Sequence, residues 1–464
     1  MAVVIKTFQT PGGKYVYDRG TNSILSVSDE EFESCRRVEN GIAQKKDWKT
    51  LLRYTEQGYL LESQIKEIVY PDGFQYELKS RVQQLTLQLT QNCNLRCSYC
   101  TYSGAYEYQR THSGKTMSLS LIKKAVDFVM LRSREVKSLA IGFYGGEPLL
   151  EFENIRACIT YIKENYEGRI INYTITTNGT IFNDEIAKFL TKNNFDVVIS
   201  IDGPRELHNK NRVYQGGEGS FDDIMRNIEY IKKYHNKLFK RISFMTVVAP
   251  GTDFSCVNDF FDAETIISDR SVTSSLVNQF NSKEQVIYDN HYKVASYYQE
   301  MKVLFAALGL YPENKISKLF FRNLVQVERF HKKLSKGVLS GTTHPGGPCI
   351  PGALRLFVAT DGTLYPCERV NESSYVMKIG HIDNGFDLEK IEILLNVGVL
   401  TKEECKVCWC FLHCTLCCAA SDDGEKLSRA KRLENCESSK LNRLEDLRVT
   451  CLLLENGYDF DSKL

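Results

Sequence analysis

The chain lacks an excess of either charge: 59 basic residues stand against 58 acidic ones, a net of +1. Without a global field there is nothing to recruit nucleic acid or an anionic membrane, so neither is expected as a partner. Long apolar runs are also missing. No stretch is long enough to span a bilayer, and the opening Met1-Ala-Val-Val-Ile-Lys6 has too short an apolar run for a secretory signal. A cytoplasmic location is therefore expected. Low-complexity tracts and repeats of solenoid period are absent, which excludes disordered and stacked-repeat architectures. What is present is ordinary for a folded protein: 464 residues, 42% hydrophobic and 25% charged, enough for two or three domains. Cysteine is the exception. Sixteen in a cytoplasmic chain point to metal rather than disulfides, and ten lie between Cys349 and Cys451, so a second metal-rich module is expected there.

The most informative stretch is Gln91-Asn-Cys-Asn-Leu-Arg-Cys-Ser-Tyr-Cys100. Cys93, Cys97 and Cys100 are spaced so that one short loop aims three thiolates at one place. Three thiolates on a cubic iron–sulfur cluster leave the fourth iron open for a small chelating cofactor. The alternating run Leu85–Leu89 before the loop reads as a strand, which puts the cysteines at its C-terminal end. From the cysteines alone, a zinc loop or an electron-transfer ferredoxin is the competing reading.

Further along, strand and helix patterns alternate. Strands are predicted at Leu85–Leu89, Ser138–Tyr144, Ile170–Thr176, Phe195–Ile201, Arg241–Val248 and Ser271–Leu276. Helices are predicted at Leu119–Leu131, Glu153–Tyr166, Asp184–Asn193, Phe221–Tyr234 and Asp253–Ala263. Roughly six βα units make an α/β fold with a partial TIM-like (β/α)₆ barrel, whose site lies at the strand C-termini. Before it, strands at Val3–Phe8, Lys14–Asp18 and Ser23–Val27 precede a helix opened by Ser28-Asp-Glu-Glu, with more helix expected through Leu61–Val69. The predicted division is residues 1–80, 81–310 for the barrel, 311–345 for bridging helices and 346–464 for the cysteine-rich region.

Other strand ends carry ligand-binding chemistry. Gly145-Gly146-Glu147-Pro148 follows the second barrel strand, and paired glycines let backbone approach a ligand closely. Thr176-Thr177-Asn178-Gly179 follows the third, and Ser200-Ile201-Asp202-Gly203-Pro204, with His208 and Arg212, follows the fourth. One such turn is ordinary loop chemistry; several on successive strands are not. Together with the cysteine spacing and the aromatic Tyr99, they resemble the radical S-adenosylmethionine (SAM) enzymes. The resemblance implies a [4Fe-4S] cluster on Cys93, Cys97 and Cys100, with SAM on its open iron. It also implies SAM contacts from Tyr99, Gly145, Gly146, Glu147, Pro148, Thr177, Asn178, Ser200, Asp202 and Arg212. Among these, Glu147 would meet the amino group, Ser200 the ribose or carboxylate, and Arg212 the carboxylate.

The C-terminal array, Cys349, Cys367, Cys405-x2-Cys408-x5-Cys414-x3-Cys418 and Cys436, resembles the SPASM domain, which usually holds two auxiliary [4Fe-4S] clusters. The resemblance gives Cys405, Cys408, Cys414 and Cys436 to the second auxiliary cluster and Cys349, Cys367 and Cys418 to the first. One cysteine of the fuller pattern is missing before Cys349. The first cluster is then open at one iron, or completed by another group such as His344 or a substrate thiolate. Glu368 stands where sulfatase-maturing relatives carry a catalytic aspartate, and is a candidate base or a plain loop residue. Cys410 and Cys417 fall outside the pattern, as do Cys35, Cys158, Cys256 and Cys451, which are expected to be buried small hydrophobes. His381 and His413 are expected to be local hydrogen-bond donors.

The N-terminal order of strands and helices resembles the PqqD-like, winged-helix-like element that binds leader peptides by strand addition, with a structural cap as the alternative. The whole arrangement is similar to thioether-forming (sactipeptide and ranthipeptide) peptide maturases. That resemblance implies two partners: a precursor peptide with a leader and a cysteine-rich core, and a reductant such as flavodoxin or ferredoxin. The competing functions are a sulfatase-type formylglycine maturase, a peptide epimerase or carbon–carbon cross-linking enzyme, and an iron–sulfur carrier.

Overall fold

Six parallel strands form the centre of the molecule in a computed structural model that describes residues 3–263, 266–334, 337 and 339–461. They follow a three-stranded antiparallel sheet, β1 (Ile5–Gln9), β2 (Lys14–Asp18) and β3 (Ser23–Val27), and a helix α1 (Asp29–Glu39). The six are β4 (Gln84–Thr90), β5 (Leu139–Gly145), β6 (Ile171–Thr177), β7 (Asp196–Ser200), β8 (Ile242–Val248) and β9 (Val272–Leu276). Helices α2 (Leu119–Arg132), α3 (Phe152–Asn165), α4 (Asp184–Lys192), α5 (Phe221–Tyr234) and α6 (Phe254–Ala263) alternate with them. All five pairings between neighbours are parallel, in the order β9-β8-β7-β6-β5-β4. The α/β partial barrel expected from the periodicity is therefore present.

Local chemistry explains the element boundaries. Ser118 and Asn183 accept backbone N–H bonds at the starts of α2 and α4, and Ser28 with Glu31 forms a full capping box on α1. Helix α2 buries Ile122, Ala125, Val126 and Val129, an i, i+3, i+4, i+7 stripe that packs on the sheet. In β8 burial alternates along the whole strand, as a half-buried pleat requires.

One feature departs from the sequence reading. Two short helices follow at Lys45–Thr50 and Leu52–Glu56, but helix does not continue through Leu61–Val69, where Glu67–Ile68 instead pairs in parallel with Thr342–Thr343. The tertiary pairing outweighs weak helix propensity there. In the cysteine-rich region β10 (Leu356–Val358) adds in parallel to β4, and β11 (Thr363–Tyr365), then Gly380–His381 and Gly385–Phe386, continue the barrel sheet to ten strands. The N-terminal sheet is covered on both faces. One face packs on α1 through Val16, Leu25, Phe32 and Cys35. The other face, through Phe8 and Tyr17, meets the helices α7 (Phe321–His331) and α8 (Cys436–Glu455).

Candidate active site

The cysteine loop leaves β4 at the C-terminal rim of the barrel. It is anchored by the chain around Arg212: Arg96 donates its N–H to Val213 O at 2.7 Å and Ser98 to Asn211 O at 2.9 Å. Backbone amides point at its sulfurs, Leu95 N–H to Cys93 Sγ and Tyr102 N–H to Cys100 Sγ, both at 3.4 Å. Burial pushes the thiol of Cys93 up to about 12 and that of Cys100 to about 11, opposed by those same amides. Such thiols are held neutral until a metal takes them as thiolates. Among the described residues no three His, Cys, Asp or Glu side chains converge closely enough for one metal ion. Thiolates on a cubane each bind a separate iron, so a donor set of this kind fits a cluster.

The glycine turn lies directly on this loop. Gly145 has φ +145°, and a Cβ there would meet Thr90 O at 2.2 Å; one on Gly146 would meet Asn92 O at 1.9 Å. Gly146 and Glu147 donate their N–H groups to Thr90 O and Asn92 O at 2.8 and 2.9 Å, so the turn and the loop move as one. Glu147 is 1% exposed and does not face open space. Its carboxylate accepts from Leu149 N–H at 3.0 Å, Thr177 Oγ at 2.8 Å and Asn178 N–H at 2.7 Å. These bonds tie the β5 turn to the β6 turn. Pro148 is buried behind Glu147. Asn178 reaches back to Asn94 Oδ1 at 2.8 Å and towards Cys93 Sγ at 3.9 Å.

Beyond β7, Ser200 is half-buried. Asp202 is buried; it accepts from the Tyr99 hydroxyl, and from Val247 N–H at 3.1 Å. Arg212 donates to the same hydroxyl at 2.9 Å, and its buried Nε has no partner. Burial works against the Arg212 cation, yet Tyr99, Cys97 and Asp202 outweigh it and hold the guanidinium charged. A buried donor left unpaired costs roughly 1–3 kcal/mol, so this atom marks where an anionic ligand group fits.

One wall was not legible beforehand. Gln88 on β4 donates to both oxygens of Glu372 at 2.8 and 2.7 Å, and Arg110 donates to Glu372 at 2.9 Å while lying 3.6 Å over the Tyr102 ring. Burial raises the Tyr144 hydroxyl at the end of β5, helped by the nearby charges of Cys100, Glu368 and Glu372. The signal lay in β4, where Thr86, Gln88 and Thr90 alternate with leucines yet are buried: a polar face turned into the barrel. Glu368 pairs with Arg355, and its second oxygen is buried without a partner.

The C-terminal cysteines fall into two groups. In one, Cys414 acts on the Cys405 thiol, and Cys405 and Cys414 both act on those of Cys408 and Cys436, raising them. In the other, Cys417 acts on Cys349, Cys367 and Cys418, and Cys349 acts on Cys367 and Cys418, raising them. Gly346 and Gly347 make this possible, because a Cβ on either would strike Leu412 O or Leu416 O at 2.0 or 2.4 Å. Cys417 is held low by the Cys418 thiol and by the amides of Ala419 and Ala420. His344 is committed elsewhere, with Nε2 2.9 Å from Leu395 O. His381 and His413 bond to Asp361 O at 2.9 Å and Asn22 Oδ1 at 2.7 Å. Cys35, Cys158, Cys410 and Cys451 are buried; Cys256 is exposed beside Asp253, a correction to its expected burial.

Residues 87–263 match the model of the radical SAM superfamily. The chain is 28% identical over 364 residues to a cysteine-type anaerobic sulfatase-maturating enzyme of Clostridium perfringens, covering 75% of this chain and 91% of that one. It is 29% identical over 304 residues to the enzyme of the same name from Clostridium novyi, covering 63% and 74%. The fold is similar to a solved structure of native anSMEcpe with bound AdoMet, with a TM-score of 0.56 and 22% identity over 79% of this chain and 99% of that one. A radical SAM domain carries SAM and a [4Fe-4S] cluster, and the remaining cysteines fit further clusters. The matched stretch runs from the middle of β4 to the last residue of α6, taking in the cysteine loop, the glycine turn and Arg212; this part of the chain is a radical SAM domain.

Proposed function

We propose that this enzyme oxidises a ribosomally made, cysteine-containing precursor peptide and joins cysteine sulfur to carbon in intramolecular thioether bridges. The observation that carries the reading is the edge of the N-terminal sheet. Among the described residues β3 is paired on one side only, by β2. An extended leader peptide adds to such an edge as a fourth strand. The fold of the sulfatase-maturating structure is covered to 99% by 79% of this chain, so roughly a fifth of this chain is additional to it. In this reading residues 1–80 take the leader, 81–310 hold SAM and its cluster, 311–345 bridge, and 346–464 hold two auxiliary clusters.

SAM on its reduced cluster supplies the hydrogen-abstracting adenosyl radical. The chain's part is to aim one C–H bond and to keep water out. Forming each bridge removes one hydrogen atom from carbon, one proton from the thiol and one electron; clusters held by the C-terminal cysteines would supply the acceptor for that electron. Glu368, beside Cys367 and with one unpaired oxygen, is the candidate acceptor of the thiol proton. A flavodoxin or ferredoxin supplies the electron that starts each turnover.

Formylglycine formation on a protein cysteine or serine is the second reading, favoured by the match to 91% of the Clostridium perfringens relative. Mass spectrometry separates the two. Anaerobic enzyme, SAM and dithionite are incubated with a cysteine-rich peptide encoded beside its gene. Loss of two hydrogens per bridge, with cysteines no longer alkylated, is the expected result. A hydrazide-reactive aldehyde points to formylglycine, and unchanged mass with altered stereochemistry to an epimerase; either overturns the thioether reading.

A further inference from the structure

The two largest fully buried side chains are both cations, Arg19 and Arg432. Neither makes an ion pair with a carboxylate among the described residues. A buried cation without a counter-charge is strongly unfavourable. Arg19, in the β2–β3 turn of the N-terminal sheet, donates through Nη1 to Lys406 O at 2.6 Å and Cys408 O at 3.3 Å, through Nη2 to Ser63 Oγ, and leaves Nε unpaired. Its neighbour Asp18 is turned away onto Gly20 N–H, Leu60 N–H and Thr21 Oγ. Arg432 donates to Thr401 Oγ1 at 3.2 Å, and its charge acts on Cys405 and Cys436. Both guanidiniums thus lie against one cysteine group, Cys405, Cys408, Cys414 and Cys436, Arg19 through Cys408 O and Arg432 through Thr401, whose hydroxyl is 3.3 Å from Cys405 Sγ. The Arg19 turn is itself pinned there: Tyr17 meets Trp409 edge-on at 6.2 Å, and His413 Nε2 is 2.7 Å from Asn22 Oδ1.

We infer that Arg19 and Arg432 are the counter-cations of the second auxiliary cluster and raise its reduction potential, Arg19 doing so from the N-terminal unit. This rests on the reading of those four cysteines as a cluster site. A cubane held by four thiolates is anionic and gains one more negative charge on accepting an electron. Two desolvated cations beside it therefore favour the reduced form. The unit assigned to leader binding is in this way electrostatically part of the electron exit.

The test is an EPR-monitored redox titration of the full chain, reconstituted anaerobically on a Cys93/Cys97/Cys100→Ala background. Arg19→Gln and Arg432→Gln are each expected to lower the reduced fraction of one auxiliary cluster about tenfold at fixed potential, a shift of about 59 mV for one electron. The other auxiliary cluster stays where it is. Arg19→Lys, which keeps the charge but loses the two-carbonyl fork, falls between wild type and Arg19→Gln. If Arg19→Gln does not assemble the cluster, a smaller downward shift in Arg19→Lys carries the inference. Potentials unchanged in the arginine variants, or Arg19→Lys equal to Arg19→Gln, overturn it. Wild-type protein without iron at these cysteines overturns the cluster reading instead, and the inference with it.

Discussion

Arg212 donates to the hydroxyl of Tyr99 at 2.9 Å, so a cation on the loop after β7 is fixed to the aromatic residue between two cluster cysteines. Asp202 accepts from that hydroxyl in turn, and all three sit at the rim of the barrel. Arg212→Gln removes the charge and keeps the size. A hydrogen bond to a charged group contributes about 1.5–3 kcal/mol, which corresponds to roughly ten- to hundredfold in affinity. SAM binding to the anaerobic holoenzyme, measured by equilibrium dialysis, should weaken by that factor, and Tyr99→Phe should weaken it less. Unchanged affinity would remove Arg212 from the cofactor site.

Gly146→Ala tests the contact between the glycine turn and the cysteine loop. A Cβ 1.9 Å from Asn92 O must push the two apart. Iron at the N-terminal cluster, about four per chain, should be lost while auxiliary iron is retained. Iron analysis on a background without the auxiliary cysteines reads this directly, and normal iron content would show that the turn has slack.

His208 supplies a pH dependence. Its Nδ1 accepts from Asp202 N–H at 3.3 Å and its Nε2 lies 3.0 Å from Ser220 Oγ, and burial, helped by the Arg212 charge, holds it down at about 3. An unfolded histidine titrates near 6.5, so between that pH and about 3 the unfolded chain binds the extra proton. Stability present at neutral pH is therefore lost on acidification, by up to about 1.4 kcal/mol per pH unit from this group. Urea unfolding of the apoprotein at pH 7 and pH 5 should show His208→Gln losing about 2 kcal/mol less than wild type. Equal losses would mean the imidazole is not kept neutral.

Glu368→Gln keeps the shape of the Arg355 partner but cannot take a proton. General-base catalysis typically contributes 10²–10⁴-fold. Modified peptide should fall by about a hundredfold while 5′-deoxyadenosine formation continues, because SAM cleavage does not use this residue. Parallel loss of both products would make Glu368 structural.

The barrel strands and helices were legible in the sequence because they depend on short-range periodicity and caps: Phe221–Tyr234 is helical over the predicted span, and Lys14–Asp18 and Ser23–Val27 are the predicted strands. Leu61–Val69 misled because Glu67–Ile68 pairs with Thr342–Thr343, far away in sequence. The partners of Glu147 were not legible for another reason: a motif names the residue at a turn, whereas Thr177 and Asn178, which donate to its carboxylate, belong to the end of the next strand.

The amino-acid order alone settled the kind of chemistry. Cys93, Cys97 and Cys100 lie within eight residues of each other, and so short a loop brings them together at little entropic cost whatever surrounds it. The folded chain had to decide which distant groups join them. Gln88 meets Glu372, Cys349 meets Cys417 and Arg19 meets the Cys408 loop across hundreds of residues or between separate segments. Contacts of that range carry no local pattern; they exist only where sheet pairing and close packing have already fixed both partners in place.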